Sequence, residues 1–326
     1  MMRLPPFRYL APVSVEDAAK LMAEHGPEAM LVAGGTDLYP NMKRRQFEPK
    51  VLVGLRGIRE LRGVRRTDGG LTIGAGTTLH AVSRHPDVAG FYPALASAAG
   101  LVSSPQLRVM GTIGGNVCVD TRCNYYNQSH AWRKAIGFCM KKDGDICLVA
   151  PGSPRCWAVS SSDTAPVLWS LGATVRLVGP RGVRVIPLSA LYRDDGIEYL
   201  AKQPEEVLTE IAVPAAEGLR SAYLKLRRRG SFDFPVLGVA VALWMDGSLV
   251  REARIVLGAV ASQPREAKEA AKLLAGQRLE PALIAQVADR AAGPSRPLDN
   301  TDLTHPYRKK MTRVFVARAL QLLADK

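Results

Sequence analysis

Apolar and polar positions change rhythm along the chain. Near the start, Ala18, Ala19, Leu21 and Met22 share one face of a helical stretch, with Ser14 placed to cap it. The apolar run 29–32 predicts a short buried strand that leads directly into Ala33-Gly34-Gly35-Thr36-Asp37-Leu38. Strands are predicted at 50–55 and 70–74, and helices at 77–83 and 93–101. Further on come a helix at 165–171, a strand at 173–178, a turn at Arg181-Gly182 before 183–186, and a strand at 208–213 closed by Pro214. From about residue 219 the order becomes strands (221–227, 236–244, 253–258) and then helices (266–274, 281–292, 306–323). Strands followed by helices in one block predict an α+β fold. The loop 215–218 divides a domain 1–218, itself split near 55–60, from a domain 219–326.

Two glycine-rich stretches carry candidate chemistry. Gly34-Gly35 follows a strand, and Gly111-Thr112-Ile113-Gly114-Gly115-Asn116 follows a helix and the segment 106–110. Turns without side chains let successive N–H groups approach an anion. Two such turns meeting at one pyrophosphate is the functional reading; two unrelated structural turns is the bland one. Neither stretch is the GxGxxG nucleotide fingerprint, and no GxxxxGK[ST] loop is present.

Between the second glycine stretch and Ser160-Ser161-Ser162-Asp163 lie all five cysteines of the 326-residue chain. Cys123, Cys139, Cys147 and Cys156 are spaced Cys-x15-Cys-x7-Cys-x8-Cys, with Cys118 upstream. Four soft thiolates suit an iron–sulfur cluster or zinc. The spacing also leaves structural or disulfide cysteines open, although an odd number in a reducing compartment argues for metal. Tyr125, Tyr126, Trp132, Phe138 and Trp157 lie in the same insert, at about 119–160, either to wall a cluster from water or to give the insert its own core. His130 reads as a surface residue and not a ligand.

Composition bounds the rest. At 47% hydrophobic and 23% charged residues, the chain is an ordinary globular protein. No apolar run reaches the ~20 residues that span a bilayer, and Pro5-Pro6 breaks any apolar leader, so the expectation is a cytoplasmic protein with no membrane partner. A net charge of +14, spread without interleaved aromatics, argues against nucleic acid and for an acidic protein partner or a plain solvated surface.

The segments 33–38 and 111–116, Asp163-Thr164-Ala165-Pro166, and Leu208-Thr209-Glu210-Ile211 resemble, in order, the FAD-binding subunits of the molybdenum hydroxylase (xanthine dehydrogenase) family. The cysteine insert, and the run from Cys123 to Ser129 above all, is similar to the flavoprotein of the 4-hydroxybenzoyl-CoA reductase branch, which carries an additional [4Fe–4S] cluster. The resemblance implies a two-lobed FAD-binding domain of the p-cresol methylhydroxylase (PCMH) type, a cysteine-rich insertion and a C-terminal domain of sheet plus helices. It implies FAD held by Leu31, Val32, Ala33, Gly34, Gly35, Thr36, Asp37 and Leu38, and by Gly111, Thr112, Ile113, Gly114, Gly115 and Asn116. Asp163 would hydrogen-bond the FAD, Leu208 would pack near the isoalloxazine, and Lys225 would lie at the flavin edge; their structural alternatives are a helix cap, a core leucine and a surface lysine. Cys123, Cys139, Cys147 and Cys156 would be cluster ligands, with Cys118 packing or flavin-adjacent. The implied partners are a large molybdopterin subunit and a small subunit with two [2Fe–2S] clusters, in a dimer of heterotrimers fed by ferredoxin. The implied activity is reductive dehydroxylation of 4-hydroxybenzoyl-CoA, with no catalytic residue on this chain. The same relay run outward in an oxidative hydroxylase, and a free-standing flavoprotein with a structural metal site, are the alternatives.

Overall fold

The computed structural model describes residues 3–325 and contains three sheets. Strands β1 (Arg8–Leu10), β2 (Ala29–Val32) and β3 (Val51–Gly54) form a parallel sheet in the order β1-β3-β2. The helix Val15–His25 covers it with Val15, Ala18, Ala19 and Met22, and Ser14 accepts a hydrogen bond from Asp17 N at its start. A second, antiparallel sheet has the order β4-β5-β8-β6-β7, from β4 (Val64–Thr67), β5 (Gly70–Gly74), β6 (Thr174–Gly179), β7 (Gly182–Pro187) and β8 (Val207–Pro214). Val178 and Val207 of this sheet join the core of the first lobe, so the two lobes pack directly.

The third sheet has the order β12-β11-β10-β9, from β9 (Leu219–Leu226), β10 (Leu237–Asp246), β11 (Leu249–Gly258) and β12 (Arg265–Glu266). β10 is apolar at nearly every position because both its faces are buried. Leu237, Val239, Val241 and Leu243 face the helices Pro281–Ala291 and His305–Ala324, while Ala240 and Ala242 face the core of the second sheet. The sheet is therefore the shared wall between the two halves of the chain.

Several elements differ from the sequence pattern. The helix expected from 266 starts at Lys268, because Arg265 and Glu266 pair with Leu257 and Val256 as an edge strand. β4 was not expected: its Val-Arg-Arg-Thr sequence is exposed and carries little apolar signal. The second glycine stretch is not a turn. Thr112 caps a short helix, Ile113–Val117, by accepting from Gly115 N at 3.1 Å. The cysteine insert has little regular structure beyond the helix His130–Ala135. It is docked on the first lobe by the fully buried Arg133, which donates to the carbonyls of Arg44 and Arg45, both at 3.0 Å, and by Gln46, which donates to Tyr126 O at 2.6 Å.

Candidate functional site

A cleft of about 620 Å³ opens where the first lobe, the second lobe and the β9–β10 connection meet. Residues 31–38 line it from one side, and Gly111, Thr112, Gly114, Gly115, Asn116 and Leu208 from the other. The two glycine stretches touch. A Cβ built on Gly34 would stand 2.0 Å from the Met110 carbonyl oxygen, and one on Gly111 would stand 3.3 Å from Thr36 Oγ1. Gly35 has φ of +70°, a conformation open to glycine at little cost.

The two stretches offer different surfaces. In the first, the main-chain N–H groups of Gly34, Gly35 and Thr36 have no acceptor among the described residues, and Tyr39 N donating to Gly35 O starts a helical turn behind them. Free N–H groups at such a position bind anions. In the second, the N–H groups are already used: Ile113 donates to Thr77 O, Gly114 to Ala75 O, Gly115 to Thr112 Oγ1 and Asn116 to Thr112 O. Of this stretch, the Thr112 N–H is left without an acceptor among the described residues. The first stretch presents a run of open N–H groups, and the second mostly a wall whose N–H groups are occupied. Ile113 is fully buried in the core and does not line the cleft, because the helix turns its side chain away.

Asn116 pins the start of the helix Thr164–Ser170, its Oδ1 accepting from Ser162 Oγ, Thr164 N and Thr164 Oγ1 at 2.9, 3.1 and 2.7 Å. That brings Asp163 to the cleft wall. Its carboxylate accepts from Tyr223 Oη at 2.8 Å and from Lys225 Nζ at 2.9 Å. Burial pushes the Asp163 carboxyl up and pulls the Lys225 ammonium down, each against the attraction of the other. Lys225 does not line the cleft. It stands behind Asp163, its side chain 1% exposed, and also donates to Leu101 O at 3.1 Å. Tyr223 and Lys225 share one face of β9 by strand alternation, and that face meets Asp163.

Residues that pattern reading missed complete the wall. Arg122 is buried, pairs with Asp37, donates to Asn41 Oδ1 at 3.3 Å and stacks 4.3 Å from the Phe234 ring centroid. Burial lowers its pKa to about 10, and its Nε has no hydrogen-bond partner among the described residues. Arg44 and Lys202 add further positive charge to the cleft. Their clue in the sequence is weak, since basic residues are scattered throughout. Cys118 lines the cleft too, its thiol pushed up to about 11 by burial.

The insert gathers the other four cysteines, all free and buried. Cys123, Cys139 and Cys156 pack together with Tyr126 and Ala158. Cys147 is buried as well. Burial raises Cys123 to about 12 and Cys156 to about 11. Two contacts converge on Cys156 Sγ: the Ala158 N–H donates to it at 3.4 Å, and Gly196 passes so close that a Cβ there would lie 2.6 Å away. Among the described residues, no group of three or more His, Cys, Asp or Glu side chains is close enough to hold a single metal ion. One ion with bonds of about 2.3 Å would need tighter convergence than a multi-iron cluster. In donor chemistry, four thiols and no hard ligand fit a soft centre.

Residues 5–216 match the FAD binding domain in molybdopterin dehydrogenase, and residues 221–323 match the CO dehydrogenase flavoprotein C-terminal domain. The chain belongs to this flavoprotein family. It is 32% identical to the carbon monoxide dehydrogenase medium chain of Afipia carboxidovorans, covering 97% of this chain and 96% of that one. The medium chain of Hydrogenophaga pseudoflava is 31% identical with the same coverage. A chain of the reconstituted CO dehydrogenase from Oligotropha carboxidovorans superposes with a TM-score of 0.82 at 30% identity, covering 99% of both. FAD is thus the cofactor of this molybdenum hydroxylase-type flavoprotein, and the cleft fits it. It joins a side-chain-free cradle with open N–H groups to flanking basic residues and an apolar wall at Leu208.

Proposed function

We propose that the chain is the electron-relay subunit of a cytoplasmic molybdenum enzyme, holding FAD in the cleft and a [4Fe–4S] cluster on Cys123, Cys139, Cys147 and Cys156. The observation that carries this reading is the collection of four free, buried cysteines in one insert beside the flavin cleft. FAD exchanges electrons singly or in pairs, whereas a cluster passes them one at a time. In this reading the N–H groups of Gly34, Gly35 and Thr36 hold the pyrophosphate, with Arg44 and Arg122 offsetting its charge. Leu208 excludes water beside the ring system, and Asp163 accepts from the FAD with a lone pair left free by Tyr223 and Lys225. Lys225 orients Asp163 in place of touching the flavin.

The partners are a large molybdopterin subunit and a small subunit with two [2Fe–2S] clusters, in a dimer of heterotrimers. Substrate chemistry takes place on the large subunit. Acidic ferredoxin supplies electrons, and the net charge of +14 steers its docking. Raising salt should slow electron entry; a rate indifferent to salt removes the steering. The reaction is reductive dehydroxylation of 4-hydroxybenzoyl-CoA. The similarity to CO dehydrogenase medium chains favours the second reading, in which the relay runs outward from an oxidised substrate.

Anaerobic purification of the complex with iron, FAD and EPR analysis tests the relay. About four irons beyond those of the [2Fe–2S] partner, lost in Cys139→Ser and Cys147→Ser, support it. Zinc in their place would reduce the insert to a staple. Assaying the complex with reduced ferredoxin and 4-hydroxybenzoyl-CoA decides the direction: loss of the phenolic hydroxyl supports the reductive reading, and no turnover refutes it.

A further inference from the structure

Between the flavin cleft and the cysteine pocket lies a buried ion pair. Lys141 Nζ donates to Asp120 Oδ1 and Thr121 Oγ1, both at 2.8 Å, and to Gly196 O at 2.5 Å. The Lys141 and Asp120 side chains are 6% and 7% exposed. Each partner belongs to a different compartment. Asp120 lines the flavin cleft, and its Oδ2 is buried with no hydrogen-bond partner among the described residues. Lys141 stands on the tight turn after Cys139, where Lys142 N and Gly144 N both donate to Cys139 O. Its ammonium is 4.8 Å from the ring centroid of Tyr126, which packs among the cysteines. It is 5.6 Å from that of Tyr199, which lines the cleft.

A wall that only separated two cofactors would be made as well, or better, by apolar side chains of the same volume, since burying two charges costs desolvation. What an apolar wall lacks is a field. In a poorly polarisable interior a fixed charge acts over several ångströms, whereas in water it is screened. Here the negative end borders the flavin cleft and the positive end borders the cysteines.

We propose that the Asp120–Lys141 pair is a fixed dipole that biases the potentials of the two redox sites in opposite directions. Asp120 disfavours added negative charge on the flavin, and Lys141 favours it on the cysteine centre. Both are positioning residues for electron transfer. The flavin half rests only on FAD in the cleft; the other half rests on the cluster reading above.

The test is a potentiometric titration of the purified complex, following flavin absorbance and the EPR signal of the cysteine centre. Asp120→Asn should raise the flavin midpoint potential, and its amide keeps an oxygen for Lys141 to donate to, so the hydrogen bond survives the loss of the charge. Lys141→Met should lower the potential of the cysteine centre more than that of the flavin. The double variant should return the flavin towards the wild-type value. An Asp120→Asn complex with full FAD and an unchanged flavin potential overturns the dipole and leaves the pair a packing element. A wild-type complex without the extra iron sinks the cluster reading alone, because the flavin shift in Asp120→Asn remains readable and is still expected.

Discussion

The flavin cleft is joined at its glycine stretches by main chain meeting main chain, with Gly34 against Met110 and Gly111 beside Thr36, whereas the cysteine pocket is closed by side chains reaching in from a loop with few regular elements. A wall of main chain fails when an atom is added to it. A pocket of side chains fails when one is taken away. The cleft also sits between packed sheets, so disturbing it disturbs the core, while the insert is tied to its surroundings by individual hydrogen bonds, among them those of Arg133 and Gln46 to the first lobe, of Arg155 to Asp194 and of Asn300 to Trp157 O. Stability and cofactor content should therefore be coupled at the cleft and separable at the insert.

The largest effect is expected behind the cleft, at Lys225→Met. Its ammonium is the charged partner of the buried Asp163 carboxylate, and removing one member of such a pair costs about 3 kcal/mol. Thermal unfolding should fall accordingly and FAD occupancy with it, since Asp163 stands on the cleft wall. Retained stability with lost FAD would instead mean that Lys225 meets the flavin directly.

Next comes Gly34→Ala. The added methyl would meet the Met110 carbonyl oxygen at 2.0 Å, and backbone cannot swing away as a side chain would. Overpacking of this kind costs about 2 kcal/mol, and the spread cradle should release most of its FAD on dialysis. Full flavin absorbance in the purified variant would break the claim that the two glycine stretches must touch.

Arg133→Met addresses the other region. Its guanidinium holds the Arg44 and Arg45 carbonyls from inside the insert, and charged hydrogen bonds of this kind contribute about 1.5 kcal/mol. Iron content should fall, or be lost faster to chelator, while FAD per chain stays at the wild-type ratio. Equal loss of both would mean that the two regions fold as one unit.

How far these regions could be read from sequence follows from the same difference. Gly34-Gly35 after a strand marks a tight turn, and the fold shows why glycine is needed there, for the positive φ of Gly35 and the close approach of Gly34 to Met110. The cysteines leave a cluster, zinc and a structural role open, and what the fold adds is that Cys123, Cys139 and Cys156 pack together. The alternation of β10, apolar on both faces, marks it as a wall between two cores. The helix Ile113–Val117 was hidden because Gly114 and Gly115 have low helix propensity; it exists because Thr112 caps it and because Gly114 packs against Ala75, where a side chain would collide. For Lys225, the neighbours along β9 give its face, but only the packing of that sheet shows that the face meets Asp163, whose carboxylate accepts from the ammonium. Arg122 was overlooked because its role depends on Asp37 and Phe234, both distant in sequence.

The smallest expected effect concerns acid, and it too falls on the cleft side. Glu206 accepts from Arg184 Nε and Nη2 at 2.6 and 2.7 Å and from Gln203 N at 2.6 Å, closing the turn that carries Lys202 and Pro204 to the cleft wall. The hydrogen bonds from Arg184 hold its carboxyl below the ordinary value of 4.5. A lowered folded-state pKa means that the pair's contribution is complete above the unfolded value and disappears as pH falls through the folded one. Arg184 is 40% exposed, so water screens the pair and its contribution is about 0.5 kcal/mol. Melting temperature followed from pH 7 down through the carboxylate range (about 4) should therefore decline slightly more steeply for the wild type than for Glu206→Gln. Identical pH slopes for the two proteins would mean that the turn is held by its main chain alone, as the cradle at Gly34 is.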